Sequence, residues 1–124
     1  MKFTLDSRDD VNLIRGYAQG EVHIGAHVQR TPCIVSADRL ILDWAARAVA
    51  TLSAADLTPI FELQPDVVLL GTGAKQMFPA GVVRQAFAAR NVGLEVMDLG
   101  AACRTYNILV QEERRVVAAL FPAG

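Results

Sequence analysis

The chain is short of the residues that mark several large protein classes. Its two cysteines, Cys33 and Cys103, lie far apart with no Cys-x-x-Cys partner, which reads as two reduced thiols packed as small hydrophobes in a cytoplasmic protein. Its two histidines, His23 and His27, are four apart on a segment interrupted by Gly25, without the cysteine or carboxylate ligands a zinc site would need, so no metal is expected. Neither sign of charge is in excess: twelve basic and thirteen acidic residues leave a net charge of −1, interleaved along the chain, and no field draws in nucleic acid. Long hydrophobic runs are missing too, since none approaches the roughly 18 apolar residues that cross a bilayer. Residues 1–10 carry Asp6, Asp9 and Asp10 and no long apolar stretch, which is unlike a secretory signal or an acid-poor transit peptide.

Catalytic signatures are equally sparse. No serine has a Gly-x-Ser-x-Gly context, and there is no Gly-x-x-x-x-Gly-Lys phosphate loop. Gly71-Thr72-Gly73 begins a dinucleotide fingerprint, but the third glycine would fall at position 76, where the chain has Gln76. No cofactor is implied.

What is present is apolar residue in quantity. With 52% hydrophobic and 20% charged residues in 124, the chain can bury one core, and residues 1–124 are expected to form a single α/β domain. The first third reads as short strands punctuated by glycine and by Thr31-Pro32: Phe3 to Leu5, Ile14 to Ala18, Glu21 to Ile24, Cys33 to Val35 and Leu40 to Trp44. Ser36 to Arg39 should turn the last two into a hairpin.

From Ser53 onward the pattern changes to continuous apolar strands separated by helical periods. Ser53 with Asp56 opens a short helix that packs Leu57, Ile60 and Phe61 and is stopped by Pro65. Val67 to Leu70 is a strand buried on both faces. A helix follows, beginning near Pro79 with Val82, Val83, Ala86, Phe87 and Arg90 at three and four spacing, with Gly93 after it; Leu94 to Met97 is the next strand, which makes a βαβ crossover. A third helix over about 101–112 lines one face with Ala102, Cys103, Tyr106, Leu109 and Val110 and another with Arg104, Asn107 and Gln111. Arg115 to Phe121 closes the sheet.

In an open parallel sheet the crevice lies at the carboxyl ends of the strands, which selects Gly71, Thr72 and Gly73 after one strand and Asp98 after the next. Backbone amides of the glycine segment could bind an anion, and the helix beyond Asp98 would present Arg104, Thr105 and Asn107 nearby. Each has a plainer structural use: the glycines as a turn, Asp98 as a helix cap, Asn107 as a loop tie and Arg104 in an ion pair. Cys103 is inert if it faces the core and reactive if it faces the crevice.

Taken together, Val68-Leu69-Leu70-Gly71-Thr72-Gly73, Glu95-Val96-Met97-Asp98 and Ala102-Cys103-Arg104-Thr105-Tyr106-Asn107, followed by Glu113-Arg114-Arg115, resemble the Mth938-like domain over most of the chain. The resemblance implies a three-layer β+α/β/α fold. It also implies a family without assigned chemistry that includes a mitochondrial relative assisting assembly of respiratory complex I and an adipogenesis-associated eukaryotic member; the start of this chain suggests a bacterial type. The matching site positions are Gly71, Thr72, Gly73, Asp98, Arg104, Thr105, Tyr106 and Asn107. The leading expectation is a non-catalytic binding or assembly module that holds a protein partner or a small anionic ligand in the strand-end crevice. The alternative is an enzyme or nucleotide-type binder with Arg104 and the Gly71–Gly73 amides on an anion and Asp98 as base; a third is a structural or homodimeric domain. The oligomeric state is not legible.

Overall fold

A computed structural model describes residues 11–124, so the expected strand at Phe3 to Leu5 lies outside the described residues. Three short antiparallel strands come first: β1 (Ile14–Ala18), β2 (Glu21–Ile24) and β3 (His27–Gln29). Both of their turns are two residues long, and each uses a glycine in the left-handed region, Gly20 at φ 78 and Gly25 at φ 57, which a side chain would disfavour.

A second sheet has the order β5-β4-β8-β6-β7, built from β4 (Cys33–Ser36), β5 (Leu40–Ile41), β6 (Val67–Gly71), β7 (Gly93–Met97) and β8 (Val116–Leu120). Its β6 pairs in parallel with both β7 and β8, while β4 runs antiparallel to β8. The sheet is buried on both sides, and strand alternation divides the core. Val116, Ala118, Leu120, Cys33, Val35 and Leu69 face one layer, and Val117, Ala119, Phe121, Ile34, Val68 and Leu70 face the other.

The first layer is the small sheet together with α3 (Leu99–Gln111); the second holds α1 (Thr58–Phe61), α2 (Gly81–Ala89) and two short 3₁₀ turns. This is the three-layer β+α/β/α arrangement expected. In the second layer Trp44 donates its indole N–H to the Asp56 carbonyl at 2.9 Å and tilts against Phe121, while the Asp56 carboxylate accepts the Ser53 N–H at 3.0 Å.

Several elements differ from expectation for local reasons. β3 is short, polar and mostly exposed, so no apolar alternation announced it. The expected strand from Leu40 to Trp44 stops at Ile41 because Trp44 leaves the sheet to fill the second layer. Ala80 is still extended at ψ 152, so α2 starts two residues after Pro79 rather than on it. It stops at Asn91, at φ 57, where Val92 N–H reaches the Phe87 carbonyl and Asn91 N–H the Ala88 carbonyl. Glu113, at φ 61, ends α3 with the same pair of bonds, to Leu109 and Val110; Gln64, at φ 54, follows α1, and Pro65 after it has no N–H to complete the pattern.

A buried side chain ties the start of the small sheet to α3. Arg15 bulges out of the β1–β2 pairing, and the Ile14 backbone turns to α3, where its N–H donates to Asn107 Oδ1 at 2.9 Å and its carbonyl accepts from Asn107 Nδ2 at 2.8 Å. Asn107 is buried with Cys103 and Val110, whereas Arg104 on the same helix is exposed. Nearby, the Tyr106 hydroxyl donates to the Asn12 carbonyl at 2.8 Å. Replacing Asn107 by leucine leaves two buried backbone groups without partners, so N107L is expected to lose about 2–4 kcal/mol in urea denaturation. A loss within error of zero would show that the small sheet is held by apolar packing alone.

Candidate functional site

The strand-end segment after β6 is glycine-rich for packing reasons. A Cβ on Gly71 would stand 2.9 Å from Leu120 Cδ2 and 3.0 Å from Ala102 Cβ, so glycine lets α3 lie close against β6 and β8. Gly73 adopts φ 79, and a Cβ there would meet the Gly124 nitrogen at 2.7 Å. Between them Thr72 is buried. Its N–H donates to the Met97 carbonyl at 2.9 Å, and its hydroxyl lies 2.6 Å from the Lys75 carbonyl and accepts the Met77 N–H at 3.0 Å. The Thr72 amide is therefore committed to the sheet and not open to an anion.

Asp98 sits at the N-terminus of α3 and accepts the Ala101 N–H on Oδ1 at 2.9 Å, the cap its position suggested. The Leu99 N–H goes to the Gly73 carbonyl at 2.7 Å, which ties the glycine segment to the start of the helix. Two turns of backbone are thus closed on each other.

Arg104 projects from α3 into solvent. Its guanidinium donates to the Tyr17 hydroxyl and lies 5.9 Å from that ring's centroid, so its partner is an aromatic of β1 and not a carboxylate. Gly100 makes this meeting feasible, because a Cβ there would fall 2.9 Å from three atoms of the Tyr17 side chain. Thr105, half-buried on α3, stands next to Arg104 in sequence.

A cavity of about 800 Å³ opens between the β1–β2 turn and this rim, lined by Tyr17 to Gly20, Gly73, Ala74, Asp98 to Gly100, Arg104, Pro122 and Ala123. Of the expected site residues it brings together Gly73, Asp98 and Arg104. Gly71, Thr72, Tyr106 and Asn107 are in the core instead, and Thr105 is outside the cavity wall. The Tyr17 turn and Pro122-Ala123 carried no motif. They reach the cavity through chain topology, although the Gly100 that accommodates Tyr17 was visible as a glycine following Asp98.

The remaining reactive groups lie elsewhere. Cys33 and Cys103 are both fully buried in the layer of α3, and burial pushes each thiol up to about 12, so Cys103 faces the core and is no nucleophile at neutral pH. Burial also raises the Tyr106 phenol. On β2, His23 Nε2 is 2.5 Å from Glu21 Oε2, and this hydrogen bond is the main cause holding the Glu21 carboxyl below its usual range. Among the described residues no three histidine, cysteine or carboxylate side chains gather as a metal site, and no helix is long and apolar enough to cross a membrane.

A β+α/β/α sandwich with a cavity opening at the strand ends defines a class of small layered domains. The chain belongs to the Mth938-like family: residues 14–121 match the family described as protein of unknown function (DUF498/DUF598). A solution structure of a Xanthomonas campestris protein superposes with a TM-score of 0.86 at 32% identity, covering 100% of this chain and 94% of that one. A Bordetella pertussis protein described as a Mth938-like domain gives 0.81 at 28% identity, again over 100% and 94%. Among curated proteins, the zebrafish (Danio rerio) NADH dehydrogenase [ubiquinone] 1 alpha subcomplex assembly factor 3 is 31% identical over 89% of this chain, which spans 64% of that protein's length. The "13 kDa major membrane protein" of Francisella tularensis is 28% identical over 81% of this chain and 82% of its own.

Two outcomes follow from this geometry. The buried thiols keep their protons in the fold and lose them in the unfolded chain near pH 9.0, so the stability they contribute is fully present below pH 9 and is lost between pH 9 and about 12. Denaturation midpoints should fall over that range by about 1.4 kcal/mol per pH unit for each thiol, and a Cys33→Ala/Cys103→Ala variant should have a flatter alkaline limb. Gly100→Ala should displace the Tyr17 ring and lower stability by about 1–3 kcal/mol. An unchanged Tyr17 ring environment by NMR in that variant would show that the helix start yields instead.

Proposed function

We propose that this chain is a non-catalytic binding or assembly module of the cytoplasm that holds a protein partner, or a small anionic ligand, at the cavity beside Arg104. The observation that carries this reading is how the polar groups near the strand ends are employed. Thr72, Tyr106 and Asn107 are buried and bonded to backbone, Asp98 caps α3, and both thiols stay protonated, while Arg104, the one cation that the described residues put on the cavity wall, stands exposed on a rigid helix. A site of this kind can grip and position, but it has no nucleophile paired with a base. The assembly-factor name of the zebrafish relative supports a protein as the principal occupant.

The reading is tested by thermal shift against phosphorylated metabolites and small carboxylic acids, together with photo-crosslinking from position 19 on the cavity lip in cells. A ligand at a hundred times its dissociation constant adds about 2.7 kcal/mol to stability, a shift that Arg104→Ala should abolish. A crosslinked protein partner lost in Arg104→Ala supports the same site. If no compound shifts the midpoint and the crosslinker captures nothing that depends on Arg104, the cavity is not a binding site.

A further inference from the structure

The loop that leaves β6 turns another surface outward. Met77, Phe78 and Val82 are 42%, 59% and 50% exposed and succeed one another between the end of β6 and the first turn of α2; the other exposed large apolar residues, Val28 and Ile108, sit singly on β3 and α3. Isolated exposed apolar side chains are ordinary, whereas a contiguous group marks a contact surface.

The same stretch is charged in one sense only. From Val67 to Leu94 the chain carries Lys75, Arg84 and Arg90 and not one aspartate or glutamate, in a protein whose net charge is −1. Arg90 stacks on Phe61, away from the loop, but Lys75 and Arg84 are exposed and, among the described residues, neither makes an ion pair. The Arg84 guanidinium stands 5.0 Å over the Phe78 ring, so cation and aromatic are presented together.

The loop is also pinned. Thr72 holds the Met77 N–H, Gln76 donates its side-chain amide to the Val96 carbonyl at 2.9 Å, and Pro79 is buried. Phe78 is therefore displayed from a fixed base. A positively charged patch repels a second copy of itself, which argues against self-association through this face. An anionic bilayer surface offers what the patch lacks: an apolar boundary for ring and thioether, and negative charge for the flanking cations. We infer that Met77, Phe78 and Val82, rimmed by Lys75 and Arg84, dock this chain reversibly on an anionic lipid surface. The cavity beside Arg104 uses none of these five residues, so the two sites can fail separately.

The test is co-sedimentation of the full chain with vesicles of phosphatidylcholine alone and of an equal mixture with phosphatidylglycerol. The chain should sediment with the mixed vesicles at low salt, and added salt should release it. Met77→Ser/Phe78→Ser should weaken partition about tenfold, and Lys75→Glu about fivefold, with thermal midpoints unchanged because all three side chains are exposed. Should the double variant fold poorly, Phe78→Trp provides an independent reading, its emission moving to the blue only with mixed vesicles. Sedimentation with neither vesicle type, or equal partition of parent and charge variant, overturns the inference and leaves the patch to an acidic protein surface. A dimer in ultracentrifugation that Phe78→Ser abolishes overturns it in favour of a second copy.

Discussion

The fold depends on a single carboxamide. A three-stranded sheet this small cannot support itself, and its inner face, with Ile14, Val22 and Ile24, needs α3 and the larger sheet to be buried. Apolar packing fixes distance but not direction. The Asn107 amide supplies direction, because its donor and acceptor meet the carbonyl and N–H of one residue, Ile14, as a neighbouring strand would. The bulge at Arg15 frees those groups for it. With β1 set in this way, Tyr17 at its far end comes to rest on Gly100 and Arg104, and the cavity takes its shape from that placement.

The same economy explains why the strand ends carry little chemistry. Each polar group that sequence reasoning could credit with reactivity meets a structural need of its own: Thr72 shapes a tight loop, Asp98 satisfies a helix terminus and Tyr106 caps a carbonyl. Among the described residues no buried side-chain polar atom is left without a partner. An unmet buried side chain, where catalytic sites often store energy, is not found among the described residues of this rim. What the rim does offer is shape and one exposed cation, which suits recognition.

Much of the layering was legible. The apolar runs of Val116 to Leu120 and Val67 to Leu70 and the three-and-four spacing along α3 follow directly from burial on two faces or one. The hairpin at Ser36 to Arg39 was visible in its turn residues, and the Ser36 hydroxyl does accept the Arg39 N–H. Asn107 is the instructive case. It lies four residues after Cys103 and three before Val110, so helical spacing places it in the core, and there its amide ties down backbone, the plainer of the two uses its polarity allowed. The Tyr17–Arg104 meeting had no local signature, since it joins residues 87 apart in sequence. β3 was missed because an exposed edge strand of three residues has no apolar period to read.

The three non-glycine residues in the left-handed region, Gln64, Asn91 and Glu113, bear on the state the chain leaves when it folds. Glycine at each position would relax the native backbone, yet it would also widen the range of conformations open to the denatured chain. Side chains at all three stops keep the disordered ensemble narrower, although each must then enter a left-handed conformation that it seldom visits in the free chain. Part of what looks like local discomfort in the native protein is thus a restriction placed on its competitors, felt before any layer has assembled.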